Sequence, residues 1–247
     1  WHVPLVYHGT RRIIEMEFVD SANSLNTAFP VRGKRRVSRA QRKVGRDFLH
    51  TLLSHMFIYQ EFHGDLHPGN ILVGEKERLY LIDWGNTVDI CSIWRPALKY
   101  VQAVLAGDTA AITEAIIQLG TDSEAMKASR RDLHRIIEDT LAESAIQPLG
   151  YDFLLTLYQE GQEGLIKRAE LALNLAAALS RQGIVVRSDY MHLTRSLTAM
   201  IGSYLGIYRG LPGRVLVRDI LQVLVRFPAL EGYRQVSGYR RKLLAQL

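Results

Sequence analysis

The sequence predicts an α+β protein, with short strands near its N-terminus and helices over most of the remainder. Two segments at the start, Val3–Tyr7 and Arg12–Val19, are rich in β-branched and aromatic residues, which is typical of strands. Two short apolar runs, Ile71–Val73 and Leu79–Ile82, flank a polar turn and predict a β-hairpin. From Ile93 onward, apolar residues recur at helical spacing, so this whole part of the chain is predicted to be helical.

The first long helix is predicted to begin at Ser38. A glutamine, Gln41, follows three residues later as in a capping box, and Val44 and Phe48 then start a helical apolar pattern. The preceding residues, Asp20–Val37, are polar and contain Gly and Pro, and we interpret them as a connector. The later predicted helices are Pro96–Leu105, Thr109–Leu119, Glu124–Ala142, Gln162–Arg181, Asp189–Tyr208, Val215–Phe227 and Ala229–Ala245.

Composition narrows the class of protein. The chain of 247 residues is 47% hydrophobic, carries a net charge of +6 and contains a single cysteine, Cys91. A lone cysteine cannot form an intramolecular disulfide, which favours the reducing environment of the cytoplasm. The apolar stretches fall short of the ~20 residues that a membrane-spanning helix needs. Aromatic residues are not interleaved with the basic ones, so we expect no nucleic-acid partner.

A dense run of basic residues surrounds the start of the first long helix. Such a run either contacts anionic lipid head groups or a partner protein, or forms an ordinary solvated surface. Its members are Arg32, Lys34, Arg35, Arg36, Arg39, Arg42, Lys43 and Arg46.

The residues that carry chemistry lie around the predicted hairpin. Asp65 stands on a loop after a helix, Asn70 follows five residues later, and Asp83 comes thirteen residues after that. This order, with His63 at the start and an aromatic residue and Gly after the last Asp, is that of the catalytic loop and the metal loop of protein kinases. Phosphoryl transfer needs a carboxylate near the attacking hydroxyl and Mg²⁺ on the phosphates, and Asp65, Asn70 and Asp83 supply those oxygen atoms. The motif therefore predicts a protein-kinase-like fold with catalytic loop 63–70 and metal loop 83–85.

Two histidines of the catalytic loop are further candidates for the catalytic site. His63 either acts in proton transfer or, as the more ordinary role, packs and binds the backbone of the metal loop. His67 stands where protein kinases have a lysine, and it either approaches a phosphate or covers the loop. His63, Asp65 and His67 could also be ligands of a transition metal, but Pro68 follows at once and no further His or Cys ligands accompany them.

The string Phe62-His63-Gly64-Asp65-Leu66-His67-Pro68-Gly69-Asn70-Ile71-Leu72-Val73, preceded by Met16-Glu17-Phe18-Val19-Asp20, resembles the UbiB/AarF family of atypical kinases. The resemblance implies that ATP or ADP binds with Mg²⁺ and that the backbone of Glu17, Phe18 and Val19 is the adenine-binding hinge. It also implies that Asp65 is the catalytic carboxylate and that Asn70 and Asp83 are metal ligands.

The same resemblance implies a role and a set of partners. Members of this family support the biosynthesis of ubiquinone or other isoprenoid quinones, so the expected partners are a membrane surface, an isoprenoid-quinone lipid and other quinone-biosynthesis proteins. The expected location is then cytoplasmic and peripheral at the inner face of a membrane. Family members usually have alanine at the position of Gly64. We interpret the glycine at this position as a small change from the family pattern.

The resemblance also predicts how the chain is organised. We expect residues 1–20 to be the last strands and the hinge of an N-terminal lobe, and residues 21–247 to form a mostly helical C-terminal lobe. The nucleotide-covering loop and the phosphate-binding lysine of kinases would then lie upstream of Trp1, in a longer protein. We therefore expect these residues alone to be inactive.

Two other functions are compatible with the sequence. Gly64 makes the loop similar to that of aminoglycoside and choline phosphotransferases, which would need an acidic pocket for a cationic acceptor. A pseudokinase that binds a nucleotide as a scaffold, without transferring phosphate, is the other alternative. The candidate acidic residues for the first are Glu138, Asp139, Glu143 and Glu160.

Overall fold

The structure, a computed structural model, describes residues 1–29, 38–122, 126, 129–148, 153–184, 186–209 and 211–244. The strands are short and antiparallel and lie, together with the first helices, within the first ninety residues. Helices occupy the rest, so the α+β class predicted from the sequence is confirmed. The strands are β1 (Val6–Gly9), β2 (Ile14–Met16), β3 (Asn23–Ser24), β4 (Glu61–His63), β5 (Ile71–Val73), β6 (Leu79–Leu81) and β7 (Thr87–Asp89).

The strands form three small sheets. β1 pairs with β2, β4 pairs with β7, and β3, β5 and β6 form a three-stranded sheet in that order. The predicted hairpin is the β5–β6 pair, in which Ile71 lies opposite Leu81. His2 adds to the outer edge of β6, because its backbone N–H donates to Leu79 O at 2.8 Å and its carbonyl accepts from Leu81 N at 2.9 Å.

The segment predicted as a connector contains ordered structure. Asn23 and Ser24 pair with β5 and extend the central sheet, and a single helical turn, α1 (Leu25–Ala28), follows them. Leu25 is buried, which explains why this part of a polar segment is held against the core. The interpretation of the whole of Asp20–Val37 as a connector is therefore wrong for its first half, and residues 30–37 lie outside the described residues.

Helix α2 (Arg39–Ser54) begins where the sequence predicts. The Ser38 hydroxyl accepts a hydrogen bond from Gln41 N at 2.9 Å, so the predicted N-cap is confirmed. Its apolar face buries Val44 and Phe48 completely. The helix continues as a wider π-helical turn (His55–Tyr59) and ends at Gln60, whose φ of 54° lies in the left-handed region.

The remaining helices are α3 (Trp94–Ala106), α4 (Thr109–Leu119), α5 (Arg130–Glu143), α6 (Phe153–Arg181), α7 (Ser188–Ile207) and α8 (Gly213–Leu244). The Asp108 cap is confirmed, since its carboxylate accepts from Ala111 N at 3.0 Å. The prediction of two separate helices near the C-terminus is wrong, because the single helix α8 continues through Pro228. Helix α6 contains the predicted helix Gln162–Arg181, which begins directly after Gly161, where φ 63° and ψ −142° interrupt the helical geometry.

The hydrophobic core joins the small sheets to the helices. Phe62, Leu66, Ile71 and Leu81, which flank the predicted catalytic loop and the hairpin, are all completely buried. They belong to the same cluster as the buried faces of α2 and α7. The predicted loop is therefore attached to the rigid centre of the fold. No helix in the described part of the chain is both long and apolar enough to cross a membrane.

Candidate active site

The catalytic loop is fixed by buried residues on either side of the candidate catalytic carboxylate. Phe62, the middle residue of β4, lies in the core, and Leu66 is buried directly after Asp65. The carbonyl of Leu66 accepts a hydrogen bond at 2.8 Å from the Ser203 hydroxyl of α7, and this contact is buried. The Asp65 side chain between them keeps 28% of its surface exposed. Its backbone is thus held rigidly while its carboxylate stays accessible to a ligand.

His63 joins the catalytic loop to the metal loop. Its Nε2 lies 2.7 Å from Ile82 O, and its Nδ1 lies 3.2 Å from Asp65 N. A carbonyl can only accept and a backbone N–H can only donate, so the ring carries its proton on Nε2 and is neutral. The side chain is completely buried with both nitrogens engaged. These contacts match the scaffold role and leave neither nitrogen available for proton transfer to a substrate.

Asn70 is oriented by the backbone of the catalytic carboxylate. Its side-chain Nδ2 donates to Asp65 O at 2.9 Å, which leaves Oδ1 as an acceptor. Its own carbonyl accepts from Ile82 N at 3.1 Å, immediately before Asp83. Asn70 and Asp83 therefore lie at the same end of the β5–β6 hairpin, as the sequence predicts.

The metal loop has an unusual backbone at the candidate ligand. Asp83 has φ 60° and ψ 63°, which is the left-handed region that non-glycine residues rarely adopt. Its carboxylate is exposed and does not cap the short 3-10 turn (Trp84–Asn86) that follows. Trp84 stabilises the metal loop. Its Nε1 donates to Leu81 O at 3.0 Å, and the centroid of its ring lies 4.8 Å from that of the His63 ring. Strained backbone that places an exposed carboxylate is typical of functional sites.

Gly64 is required by the approach of the two loops. A Cβ atom at Gly64 would lie 1.8 Å from the backbone oxygen of Asn86, which cannot move without displacing the metal loop. The interpretation of Gly64 as a small change from Ala is therefore wrong for this chain, since the catalytic loop and the metal loop touch at that point.

His67 covers the loop. Its Nδ1 accepts from Gly69 N at 3.0 Å and caps the 3-10 turn (Pro68–Asn70) that leads to Asn70. The alternative of a transition-metal site finds no support, because the buried His63 uses both ring nitrogens within the protein. Among the described residues, no group of three or more His, Cys, Asp and Glu side chains could hold a metal ion.

The donor set suits a Mg²⁺ ion shared with a nucleotide. Asn70 offers one neutral oxygen and Asp83 one exposed carboxylate, and Mg²⁺ bound with substrate phosphates needs only one or two protein carboxylates. The assignment of Asn70 and Asp83 as metal ligands, like that of Asp65 as the catalytic carboxylate, stays a prediction.

The predicted hinge directly follows β2. Glu17 is tied to the chain before β1, because its N–H donates to Leu5 O at 2.7 Å and its carboxylate accepts from Leu5 N at 3.1 Å. The bond from Leu5 N, followed by the contact with His2, lowers the pKa of Glu17. Phe18 is 86% exposed and Val19 is half-buried. The adenine-binding role of Glu17, Phe18 and Val19 stays a prediction.

Sequence reasoning missed a cation beside the catalytic carboxylate. Arg195 of α7 lies 3.9 Å from Asp65, measured from Nη2 to Oδ2, and 70% of its side chain is exposed. No local pattern distinguishes Arg195 from other helical arginines, because only the packing of α7 on the catalytic loop brings it to Asp65.

Comparison with known proteins bears on the first half of the chain. Residues 1–116 match the model of the ABC1 atypical kinase-like domain. The match contains every candidate catalytic, hinge and metal-binding residue, and it confirms the protein-kinase-like fold. It supports a kinase-like family and kinase-like phosphotransfer at a general level. Searches of curated proteins and of solved structures found no match.

The acidic pocket expected of a small-molecule phosphotransferase is not assembled from its candidate residues. Glu160 forms an ion pair with Arg168, whose side chain is only 1% exposed, at 3.2 Å. Glu138, Asp139 and Glu143 are exposed on α5. A cavity of about 300 Å³ beside Glu160 is also lined by Lys167 and Arg168, so its charge is mixed.

Proposed function

We propose that this protein is an atypical kinase or ATPase of the UbiB/AarF type, which binds ATP with Mg²⁺ and supports isoprenoid-quinone biosynthesis. The observation that carries the proposal is the bridge through His63. This residue bonds the backbone of Asp65 on one side and that of Ile82 on the other, so the catalytic loop and the metal loop form one unit. The arrangement suits phosphoryl transfer, in which positioning and electrostatics supply most of the catalysis.

Each candidate residue has a role in this proposal. Asp65 orients the attacking hydroxyl or water and accepts its proton, since its carboxylate is partly exposed and its backbone is fixed. Asn70 and Asp83 hold Mg²⁺, which neutralises charge on the phosphates when it is bound. His63 and His67 are positioning residues, because their ring nitrogens bind the backbone of the two loops. The backbone of Glu17, Phe18 and Val19 contacts the adenine.

The proposed membrane partner rests on the family resemblance more than on the basic run. The structure describes four members of that run, and three of them have partners within the fold: Arg42 and Arg46 bind Asp219, and Lys43 binds Asp47. Two carboxylates thus offset most of the charge of these three residues. We propose a cytoplasmic protein that lies peripherally on a membrane and meets an isoprenoid-quinone lipid and other quinone-biosynthesis proteins there.

The test follows ATP hydrolysis by the natural full-length protein in three conditions: with anionic liposomes, with aminoglycosides or choline, and with neither. We expect liposomes to stimulate hydrolysis and Asp65→Asn to abolish it. Asp89→Asn is the matched control, because Asp89 is an exposed aspartate on β7 whose carboxylate accepts hydrogen bonds from the neighbouring Cys91. Stoichiometric transfer of phosphate to a small amine-bearing alcohol would instead identify a small-molecule phosphotransferase. Nucleotide binding without any turnover would identify a pseudokinase.

A further inference from the structure

We propose that Arg195 binds the terminal phosphoryl group of the nucleotide beside Asp65 and so acts as a catalytic residue of this site. The inference rests on the proposed function and adds to it a phosphate-binding cation from outside the matched residues 1–116. It begins from the ion pair in which Arg195 Nη2 lies 3.9 Å from Asp65 Oδ2.

The catalytic loop itself carries no suitable cation. Residues 63–70 contain neither Lys nor Arg. His67, which stands at the position of the kinase lysine, uses Nδ1 to accept from Gly69 N, so that nitrogen has no proton to donate. A terminal phosphoryl group that transfers at Asp65 accumulates negative charge on its oxygens, and kinase-like sites stabilise this charge with cations. In the described structure, Arg195 supplies the positive charge at Asp65.

The guanidinium group of Arg195 has N–H donors available for a ligand. Its side chain is 70% exposed, and a separation of 3.9 Å from Asp65 is too long for a hydrogen bond. An arginine presents five N–H donors in a planar fork that matches phosphate geometry. An exposed, loose ion pair contributes little to folding. Arg195 can therefore turn toward a phosphoryl oxygen at Asp65 without breaking a contact on which the fold depends.

Helix α7 holds Arg195 at a fixed place relative to the loop. Eight residues further along the helix, Ser203 donates its buried hydrogen bond to Leu66 O, next to Asp65. Tyr190, Leu193 and Met200 are buried in the core on either side of Arg195. A site residue on a helix is placed more precisely than one on a loop, which suits a phosphate-binding group.

The experiment measures the Kd of ATP and of ADP, each with Mg²⁺, for the natural full-length protein and three variants. The variants are Arg195→Gln, Arg195→Lys and the control Arg187→Gln, which removes another part-exposed ion pair next to the start of the same helix, with Asp189 at 2.8 Å. Arg195→Gln is expected to weaken ATP binding about 10-fold or more and to leave ADP binding within about twofold, since only ATP carries the terminal phosphoryl group. Its hydrolysis rate is expected to fall about 100-fold, as for the loss of one transition-state donor. Arg195→Lys is expected to recover part of both losses, and Arg187→Gln to change neither.

Other outcomes would overturn the inference. Equal weakening of ATP binding and ADP binding in Arg195→Gln would show a structural effect. Faster hydrolysis in Arg195→Gln would show that the ion pair inhibits Asp65. If the wild-type protein binds ATP with Mg²⁺ and Arg195→Gln binds it equally well, only the role of Arg195 is wrong. If the wild-type protein binds no nucleotide, the proposed function fails as well. Should Arg195→Gln lose its cooperative thermal unfolding, Arg195→Lys carries the same comparison, with ATP weakened more than ADP as the expected result.

Discussion

The two loops of the site lie very close together at Gly64. No side chain fits there, because the backbone oxygen of Asn86 would lie 1.8 Å from a Cβ atom. His63 then ties the same two loops together through its ring nitrogens. Gly64 allows the two loops to touch, and the hydrogen bonds of His63 hold them together. Both residues therefore help to set the distance between Asp65 and Asp83. Gly64 and His63 therefore both act on the geometry of the site.

Gly64→Ala is therefore expected to force the loops apart. We predict a loss of about 1–3 kcal/mol in the free energy of unfolding, as for overpacking of a close-packed site, together with weaker Mg²⁺-dependent nucleotide binding. Denaturant unfolding and nucleotide titration measure the two effects. The control is Gly202→Ala in the middle of α7, where a Cβ would meet nothing within 4 Å. That control is expected to keep or slightly raise stability, because Ala favours a helix. An unchanged stability in Gly64→Ala would contradict the close contact.

The sequence predicts which residues form the site but not the contacts that each makes. The spacing of Asp65, Asn70 and Asp83 predicts their placement near the hairpin, because two short strands return the chain to its starting end. The separate roles of His63 and His67 could not be predicted, since each ring's partners depend on how the loop folds. The need for glycine at position 64 could not be predicted either, because the neighbouring Asn86 is distant in sequence.

Among the helices, α2, α7 and α8 are joined by a buried charged group. Asp219 of α8 is completely buried and accepts from Arg42 Nε at 3.0 Å, from Arg46 Nη1 at 3.4 Å and from the Tyr208 hydroxyl at 3.0 Å. The hydrogen bond with Asp219 raises the pKa of Arg42. Burial raises the pKa of Tyr208, so its hydroxyl stays protonated and donates. Helices α2 and α8, which are far apart in the sequence, are thus held together by one carboxylate.

Asp219→Ala is predicted to destabilise the fold strongly. It would leave Arg42 and Arg46 without their buried partner, and breaking a buried ion pair costs about 3–5 kcal/mol. Urea unfolding measures the loss. Asp132→Ala serves as the matched control, because Asp132 pairs with Arg135 at 3.3 Å on the surface, with 70% of its side chain exposed. That variant is expected to change stability by less than about 1 kcal/mol. A similar small change in Asp219→Ala would contradict the buried network.

Helix boundaries show where local sequence signals are overridden. The Ser38 and Asp108 caps are local hydrogen bonds, and both could be predicted from a few residues. Pro228 predicts a break, yet α8 continues through it. Contacts with α2 support this part of α8, for example Phe227 against His50, whose rings lie 5.3 Å apart. Tertiary packing of this kind is not encoded in a local window.

Across the whole molecule, an aromatic cluster connects the N-terminal segment with the metal loop. His55 is only 2% exposed and lies among Trp1, Tyr59 and Trp84, with ring centroids 5.1, 6.0 and 5.5 Å away. Burial, with a smaller contribution from the nearby His63, lowers the pKa of His55 from 6.5 to about 4. The folded protein therefore keeps His55 neutral at a pH where the unfolded chain protonates it.

Stability is predicted to fall as the pH drops from about 6.5 toward about 4. In that range the unfolded state binds a proton on His55 and the folded state does not, so the unfolded state is favoured. The full shift corresponds to about 3 kcal/mol. Urea unfolding at pH 7, 6 and 5 measures how the free energy of unfolding changes with pH. His55→Phe is expected to reduce this dependence. His192→Gln, a change at an exposed histidine of α7, is expected to leave it unchanged. Equal slopes in wild type and His55→Phe would contradict the assignment.

The central claim is that the end of the β5–β6 hairpin holds Mg²⁺ with a nucleotide. The most direct measurement is ATP binding by the natural full-length protein, with and without Mg²⁺, in wild type, Asp83→Asn and the control Asp89→Asn. We predict that Mg²⁺ strengthens ATP binding in wild type and in Asp89→Asn. This dependence is expected to be lost in Asp83→Asn, because the proposal assigns the exposed carboxylate of Asp83 as the Mg²⁺ ligand. Binding of ATP that does not depend on Mg²⁺ in the wild type, or a dependence unchanged in Asp83→Asn, would contradict the claim.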